Sequence, residues 1–127
     1  MVLPFRASDA TLASAIQSIV EQTRSDWELI LVNDRAGPVS TGIARHCADR
    51  DPRIRHIRSP RPGIAHALNG GIERARSDLI ARMDADDCSR PGRLEAQVGY
   101  LERHTACGLV SCRVHYDGDR ERNAGYA

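Results

Sequence analysis

The chain reads as an α/β protein: a doubly wound, mostly parallel sheet flanked by helices. Three observations lead there. Short apolar runs suited to buried strands alternate with segments whose apolar residues recur at helical spacing. The run Leu29-Ile30-Leu31-Val32 is continuously apolar, as a strand covered on both faces must be. An acidic cluster, Asp84-Ala85-Asp86-Asp87, directly follows another apolar run, and sheets of this kind bind ligands at the carboxyl ends of their strands.

Each element has its own signal. Val2 and Leu3 form a short first strand stopped by Pro4. Leu12, Ile16, Ile19 and Val20 recur at helical spacing, with Ser8 or Asp9 as the N-cap. The second strand spans Glu28 to Val32, and Gly37-Pro38 breaks the chain after it. Ile43, Ala44 and Cys47 mark a second helix, and Ile54 to Ile57 a short third strand. Ile64, Leu68, Ile72 and Ala75 mark a third helix; Leu79 to Met83 reads as a buried fourth strand. Pro91 suits the first turn of a fourth helix with an apolar face of Leu94, Val98 and Leu101. Val110, Cys112, Val114 and Tyr116 alternate with Ser111, Arg113 and His115, the period of a half-buried strand. Beyond Asp117 no periodicity remains, and residues 120–127 read as a frayed tail behind a single domain over 1–119.

Composition excludes several classes. At 127 residues the chain fits one domain, and 41% hydrophobic with 28% charged residues is ordinary for a globular protein. A net charge of +1 does not point to nucleic acid or anionic lipid. All 18 basic residues are arginine, a compositional bias. No apolar run approaches the roughly 20 residues that span a bilayer, and the N-terminus lacks a signal-peptide pattern. Cys47, Cys88, Cys107 and Cys112 form no Cys-x-x-Cys pair and no zinc-finger spacing with histidine. Reduced thiols in a cytoplasmic protein are the expectation, with a membrane-peripheral placement open for a longer parent.

Three acids in four residues repel one another unless a positive group neutralises them. Hard divalent cations such as Mg²⁺ and Mn²⁺ choose carboxylate oxygens and keep open positions for phosphate. The other unusual residues fall at strand ends too: Pro4-Phe5-Arg6, Asn33-Asp34-Arg35 and Arg58 to Gly63. All four groups share one sheet edge, which favours a ligand site over a chance collection of polar loops. A calcium loop fits worse: Asp84, Asp86 and Glu95 take template positions, but Ser89 stands where glycine is required. A nucleic-acid surface from Arg45 to Arg61 lacks aromatic stacking residues, and Asp49 and Asp51 dilute its charge.

The ordered set of motifs resembles the family 2 glycosyltransferases, which have the GT-A nucleotide-sugar-binding fold. The matching residues are Pro4, Ser18-Ile19-Val20-Glu21-Gln22-Thr23, and Trp27-Glu28-Leu29-Ile30-Leu31-Val32-Asn33-Asp34. Gly63, Ala67, Asn69, Gly71 and Ala75 follow the family's third-helix spacing. Met83-Asp84-Ala85-Asp86-Asp87 matches its DXD metal motif, followed by Pro91 and Arg93-Leu94.

The resemblance implies roles. Asp34 would hydrogen-bond the nucleotide base, often uracil. Pro4, Phe5 and Arg6 would wall the base and ribose, and Gly63 and Asn69 join the nucleotide-binding set. Asp86 would lie near the ribose and the metal, Asp87 would ligate Mn²⁺ or Mg²⁺, and Asp84 would support them. Arg58 or Arg61 would reach phosphate, each weighed against a simple surface charge. The implied substrate is a nucleoside diphosphate sugar, UDP-linked, with an unknown acceptor. The alternative is a non-catalytic nucleotide-sugar-binding module acting with a partner chain. Arg6 and Ala7 replace a usual aromatic and asparagine, and Arg35 stands where the family has glycine. The family's acceptor half and, in inverting members, its carboxylate base lie further along the chain. The expectation is therefore a donor-binding half, truncated, with the general base beyond Ala127 and Glu121 too near the end to serve. An open sheet edge would then favour a homodimer.

Overall fold

The continuous apolar run becomes the middle strand of the sheet. The computed structural model describes residues 1–115. Among them the chain order is β1 (Val2–Phe5), α1 (Leu12–Val20), β2 (Leu29–Asn33), α2 (Pro38–Arg50), β3 (Ile54–Arg58), α3 (Ile64–Ile72) and α4 (Arg93–Arg103). The sheet order is β1-β2-β3, all parallel, with Leu3 opposite Leu31 and Val32 opposite Ile57. Every residue of β2 is buried, because alternate side chains enter different layers. Leu29 and Leu31 join Leu3, Phe5 and Ile54 against Leu12, Ile16 and Ile19 of α1 and Ala44 of α2. Ile30 and Val32 join Val2 against Ala67 of α3. Helices thus cover both faces, as the alternation of strands and helices predicts.

After α3 the chain returns to the far side of β1. Arg82 bridges Val2 in parallel, with the Val2 N–H donating to the Ala81 carbonyl at 2.8 Å. The spatial order runs β3, β2, β1, Arg82, so the direction of winding reverses beside β1. That reversal opens a crevice at the carboxyl ends of β1 and of the Arg82 segment.

Pro4 does not stop the first strand; it lies inside β1, opposite Val32. Met1 and Phe5 direct their carbonyls to β2, while Val2 faces outward to Ala81 and Met83. Pro4 shares the outward side, so its missing N–H costs no bond to β2. Neither Ser8 nor Asp9 is the side-chain cap of α1: Thr11 is the N-cap position, without a side-chain bond. Leu79 to Met83 is not a buried strand but a single bridge, and Leu79 and Ile80 are 47% and 40% exposed. Arg82 is in register with Val2, where β1 begins, so the preceding residues have no ladder to join. The buried face of α3 is Ala67, Gly70 and Gly71, whereas Ile64 and Ile72 are exposed. Pro91 precedes the Gly92 N-cap of α4 instead of sitting in its first turn, and of that helix's apolar face only Leu94 is fully buried. The last expected strand does not form over residues 110–115, where Val114 is 83% exposed. Tyr116, Glu121, the 1–119 boundary and the 120–127 tail lie outside the described residues. No described helix is long and apolar enough to cross a membrane.

Candidate functional site at the carboxyl edge of the sheet

The end of β2 organises one half of the edge. Asn33 closes the turn with its side chain: its carbonyl oxygen accepts from Ala36 N–H at 2.8 Å and its amide donates to the Thr41 hydroxyl at 2.9 Å. Asp34 is buried, and both its carboxylate oxygens accept the Gly63 N–H at 3.1 Å. An ionised carboxylate has about four lone-pair positions, so acceptor capacity remains for a ligand. Gly63 has φ of 110° and is the N-cap of α3, a conformation glycine adopts at little cost. Arg35 has a φ of 63°, a left-handed conformation that a non-glycine residue adopts at a cost. Its guanidinium donates to the Ser59 carbonyl at 3.2 Å, and Ser59 N–H donates to the Asn33 carbonyl at 2.9 Å. The Ser59–Gly63 loop is therefore tied to β2 at both ends. Arg58 and Arg61 are exposed and, among the described residues, unpaired with a carboxylate.

β1 contributes less through side chains than expected. Pro4 and Phe5 are buried within the strand, and the Phe5 ring lies 5.9 Å from the His56 ring in the core. Arg6, the next residue, is exposed. The loop it opens is anchored by Asp9, whose carboxylate accepts from both the hydroxyl and the N–H of Ser40 at the start of α2. Asn69 sits mid-helix in α3 and is exposed, about 9 Å along the axis from Gly63 at 1.5 Å per residue.

The acidic motif owes its form to a period of two. Met83 and Ala85 point into the core, 3% and 5% exposed, so Asp84 and Asp86 turn outward. Asp84 pairs with Arg82. Among the described residues no hydrogen bond or ion pair engages the carboxylates of Asp86 and Asp87. Asp87 is exposed at its surface; partial loss of water on its loop side, then neighbouring Asp86 and Asp84, pushes its carboxyl above its ordinary range, against the pull of Arg82 and Arg93. That mutual repulsion is what a divalent cation relieves. No group of three or more metal-binding side chains converges among the described residues. Mg²⁺ needs only one or two carboxylates when phosphate oxygens complete its shell, so the two unengaged acids fit such an ion.

Sequence reading missed what holds this loop. Gln22 is buried at the end of α1. Its amide donates to the Ser18 and Arg90 carbonyls at 3.0 and 2.9 Å, and its oxygen accepts from Leu94 N–H at 3.0 Å. The Ser18 hydroxyl accepts from Ser89 N–H at 3.0 Å, and Thr23 N–H donates to the Pro91 carbonyl at 2.9 Å. In the sequence Ser18, Gln22 and Thr23 stood out only as part of the run that matches the family, with no sign of their partners at Ser89 to Leu94. Grooves of about 570 Å³ flank the acidic loop. One is between α1 and Ser89; the other is between Ile80, Trp27, Val98 and Leu109. The four cysteines are free thiols.

The model of glycosyl transferase family 2 matches residues 1–126. The chain belongs to this family. Among its relatives, the EpsE protein of Bacillus subtilis (strain 168) is 41% identical over 100 residues, covering 76% of this chain and 35% of EpsE. Two solved structures share the fold. TarS 1-349 of S. aureus, in complex with UDP, superposes with a TM-score of 0.74 at 15% identity, over 82% of this chain and 32% of that one. The mannosyltransferase PcManGT of Pyrobaculum calidifontis, in complex with GDP-Man and Mn²⁺, gives 0.70 at 22% identity, over 79% and 31%. The chain thus spans about a third of each of these three proteins. The family expectation and the GT-A-like parallel sheet with flanking helices are both met.

Proposed function

We propose that this family 2 glycosyltransferase chain binds the donor: a nucleoside diphosphate sugar, UDP-linked, held with Mn²⁺ or Mg²⁺ for transfer to an acceptor. The observation that carries this reading is the sharing of one sheet edge by buried Asp34 and the acidic motif. Asp34, ionised, accepts hydrogen bonds only, so in this reading it takes the ring N–H that uracil and guanine offer; adenine and cytosine could offer it only their exocyclic amino groups. The nucleotides in the TarS and PcManGT complexes, UDP and GDP-Man, both meet that demand.

In this reading Asp87 and Asp86 hold the cation and Asp84 supports them. The cation, when bound, offsets charge on the departing nucleoside diphosphate. The Ser59–Gly63 loop and Arg6 flank the base. Asp34 orients the base while keeping the start of α3 in place through Gly63. The catalytic base and the acceptor belong to the whole protein's activity and are proposed to lie outside these residues.

Titration calorimetry of UDP with and without Mn²⁺ tests the reading. Affinity is expected to rise with Mn²⁺, and Asp87→Ala to abolish that rise. ADP and CDP are expected to bind more weakly than UDP. UDP affinity indifferent both to Mn²⁺ and to Asp87→Ala would sink the proposal.

A further inference from the structure

The acidic loop has a fastener that the proposed chemistry does not use. The guanidinium of Arg93, in the first turn of α4, reaches both ends of the loop. One terminal nitrogen donates to the Arg82 carbonyl at 2.8 Å, just before the acids. The other donates to the Ser89 hydroxyl at 2.9 Å, just after them. Its Nε donates to Gln97 Oε1 at 3.2 Å, one helical turn along, which fixes the fork's orientation. Ser89 is itself buried. Its hydroxyl contacts the Met83 sulfur at 3.0 Å, and its N–H donates to the Ser18 hydroxyl. Within the closed loop the Asp87 N–H donates to the Asp84 carbonyl at 3.2 Å.

We propose that Arg93 is a positioning residue: it staples Arg82 to Ser89 and holds Asp86 and Asp87 ready for a divalent cation before one arrives. The inference rests on the cation-dependent reading of the acidic motif. The loop packs three carboxylates, which repel one another and favour its opening. A planar guanidinium with donors at fixed separation resists that opening at two points at once; an ammonium acts as a single point. A loop already closed loses less freedom when the ion binds.

Charge and stapling have opposite consequences, which makes the inference testable. If Arg93 acted through charge alone, it would oppose an incoming dication, and removing it would tighten cation binding. If it staples the loop, removing it weakens binding. The test is a Mn²⁺ titration in the presence of saturating UDP, on the 127-residue chain and on Arg93→Met and Arg93→Lys. Both variants are expected to bind Mn²⁺ roughly three- to tenfold more weakly, the range for losing one or two net hydrogen bonds. Arg93→Lys keeps the charge and loses only the fork. Amide exchange over residues 84–89, without metal, is expected to quicken in both variants while the exchange of β2 is unchanged. Mn²⁺ binding by Arg93→Met as tight as, or tighter than, that of the unaltered chain would overturn the staple. If the unaltered chain shows no Mn²⁺-dependent UDP binding, the metal reading falls. The staple is then judged on exchange alone: faster exchange of residues 84–89 upholds it and unchanged exchange overturns it.

Discussion

Asp87 and His56 carry the pH behaviour of single residues, with opposite signs. The Asp87 carboxyl, exposed on one side, is raised by partial desolvation and by Asp86 and Asp84. The folded state therefore holds that proton more tightly than the unfolded chain. Stability falls as pH rises from the ordinary value of 3.8 through the folded value. Asp87→Asn removes this penalty. In metal-free buffer at neutral pH its melting temperature is expected to exceed the unaltered chain's, with the gap closing as pH drops toward 3.8. His56 is lowered by burial and then by Arg45, and its buried Nε2 has no partner among the described residues. Its contribution is present above the ordinary 6.5 and is lost as pH falls through the folded value. Replacing it by Phe is expected to flatten the acid side of a stability-against-pH curve, read by urea unfolding. A curve as steep in His56→Phe would count against this assignment. The acid cluster was legible as a motif because three carboxylates together are rare without a purpose. His56 was not, because burial of one polar residue in an edge strand leaves no local pattern.

At the scale of elements, the position of α3 is decided by glycine. A Cβ at Gly71 would stand 2.4 Å from Val2 Cγ1 and 3.1 Å from Val32 Cγ2. The helix lies that close to the sheet because nothing projects from it there. Gly71→Ala is expected to destabilise the chain by about 1–3 kcal/mol, the usual cost of overpacking, measured by urea denaturation. An unchanged midpoint would show that α3 is free to shift outward. The same closeness explains why apolar periodicity misassigned this helix. Ile64 and Ile72 carry the greater hydrophobicity, but Ala67, Gly70 and Gly71 carry the contact. A pattern that ranks residues by hydrophobicity cannot see a face chosen for its small size.

For the molecule as a whole, the open side of the sheet is the feature with consequences. The Arg82 segment meets β1 through a single bridge, and its outer side is unpaired among the described residues. Leu79 and Ile80 are exposed beside it, and the groove running to Trp27, Val98 and Leu109 is partly apolar. Unpaired strand edges and exposed apolar surface recruit other chains. Concentration-dependent self-association of the 127-residue chain is expected in sedimentation equilibrium, with Ile80→Lys shifting it toward monomer. A chain monomeric at all concentrations, with and without that substitution, would dismiss the homodimer.

Residue order alone was enough for the alternation from β1 to α3, the central place of Leu29-Ile30-Leu31-Val32, and the arrival of Asp34 at a strand end with Asp84–Asp87 on the same edge. These follow from hydrophobic period and chain punctuation, which are local and survive in one dimension. Tertiary structure alone decided which apolar run pairs: Leu79 to Met83 has the composition of a strand, but its register against Val2 leaves most of it without a ladder. It alone decided that Asp9 anchors to Ser40, 31 residues away, instead of capping α1. It alone showed Gln22 fastening α1 to α4 and Arg93 closing the acidic loop. Hydrogen bonds between residues distant in sequence depend on approach distances of a few tenths of an ångström. Those distances are set by how the layers pack, and residue spacing along the chain does not encode them.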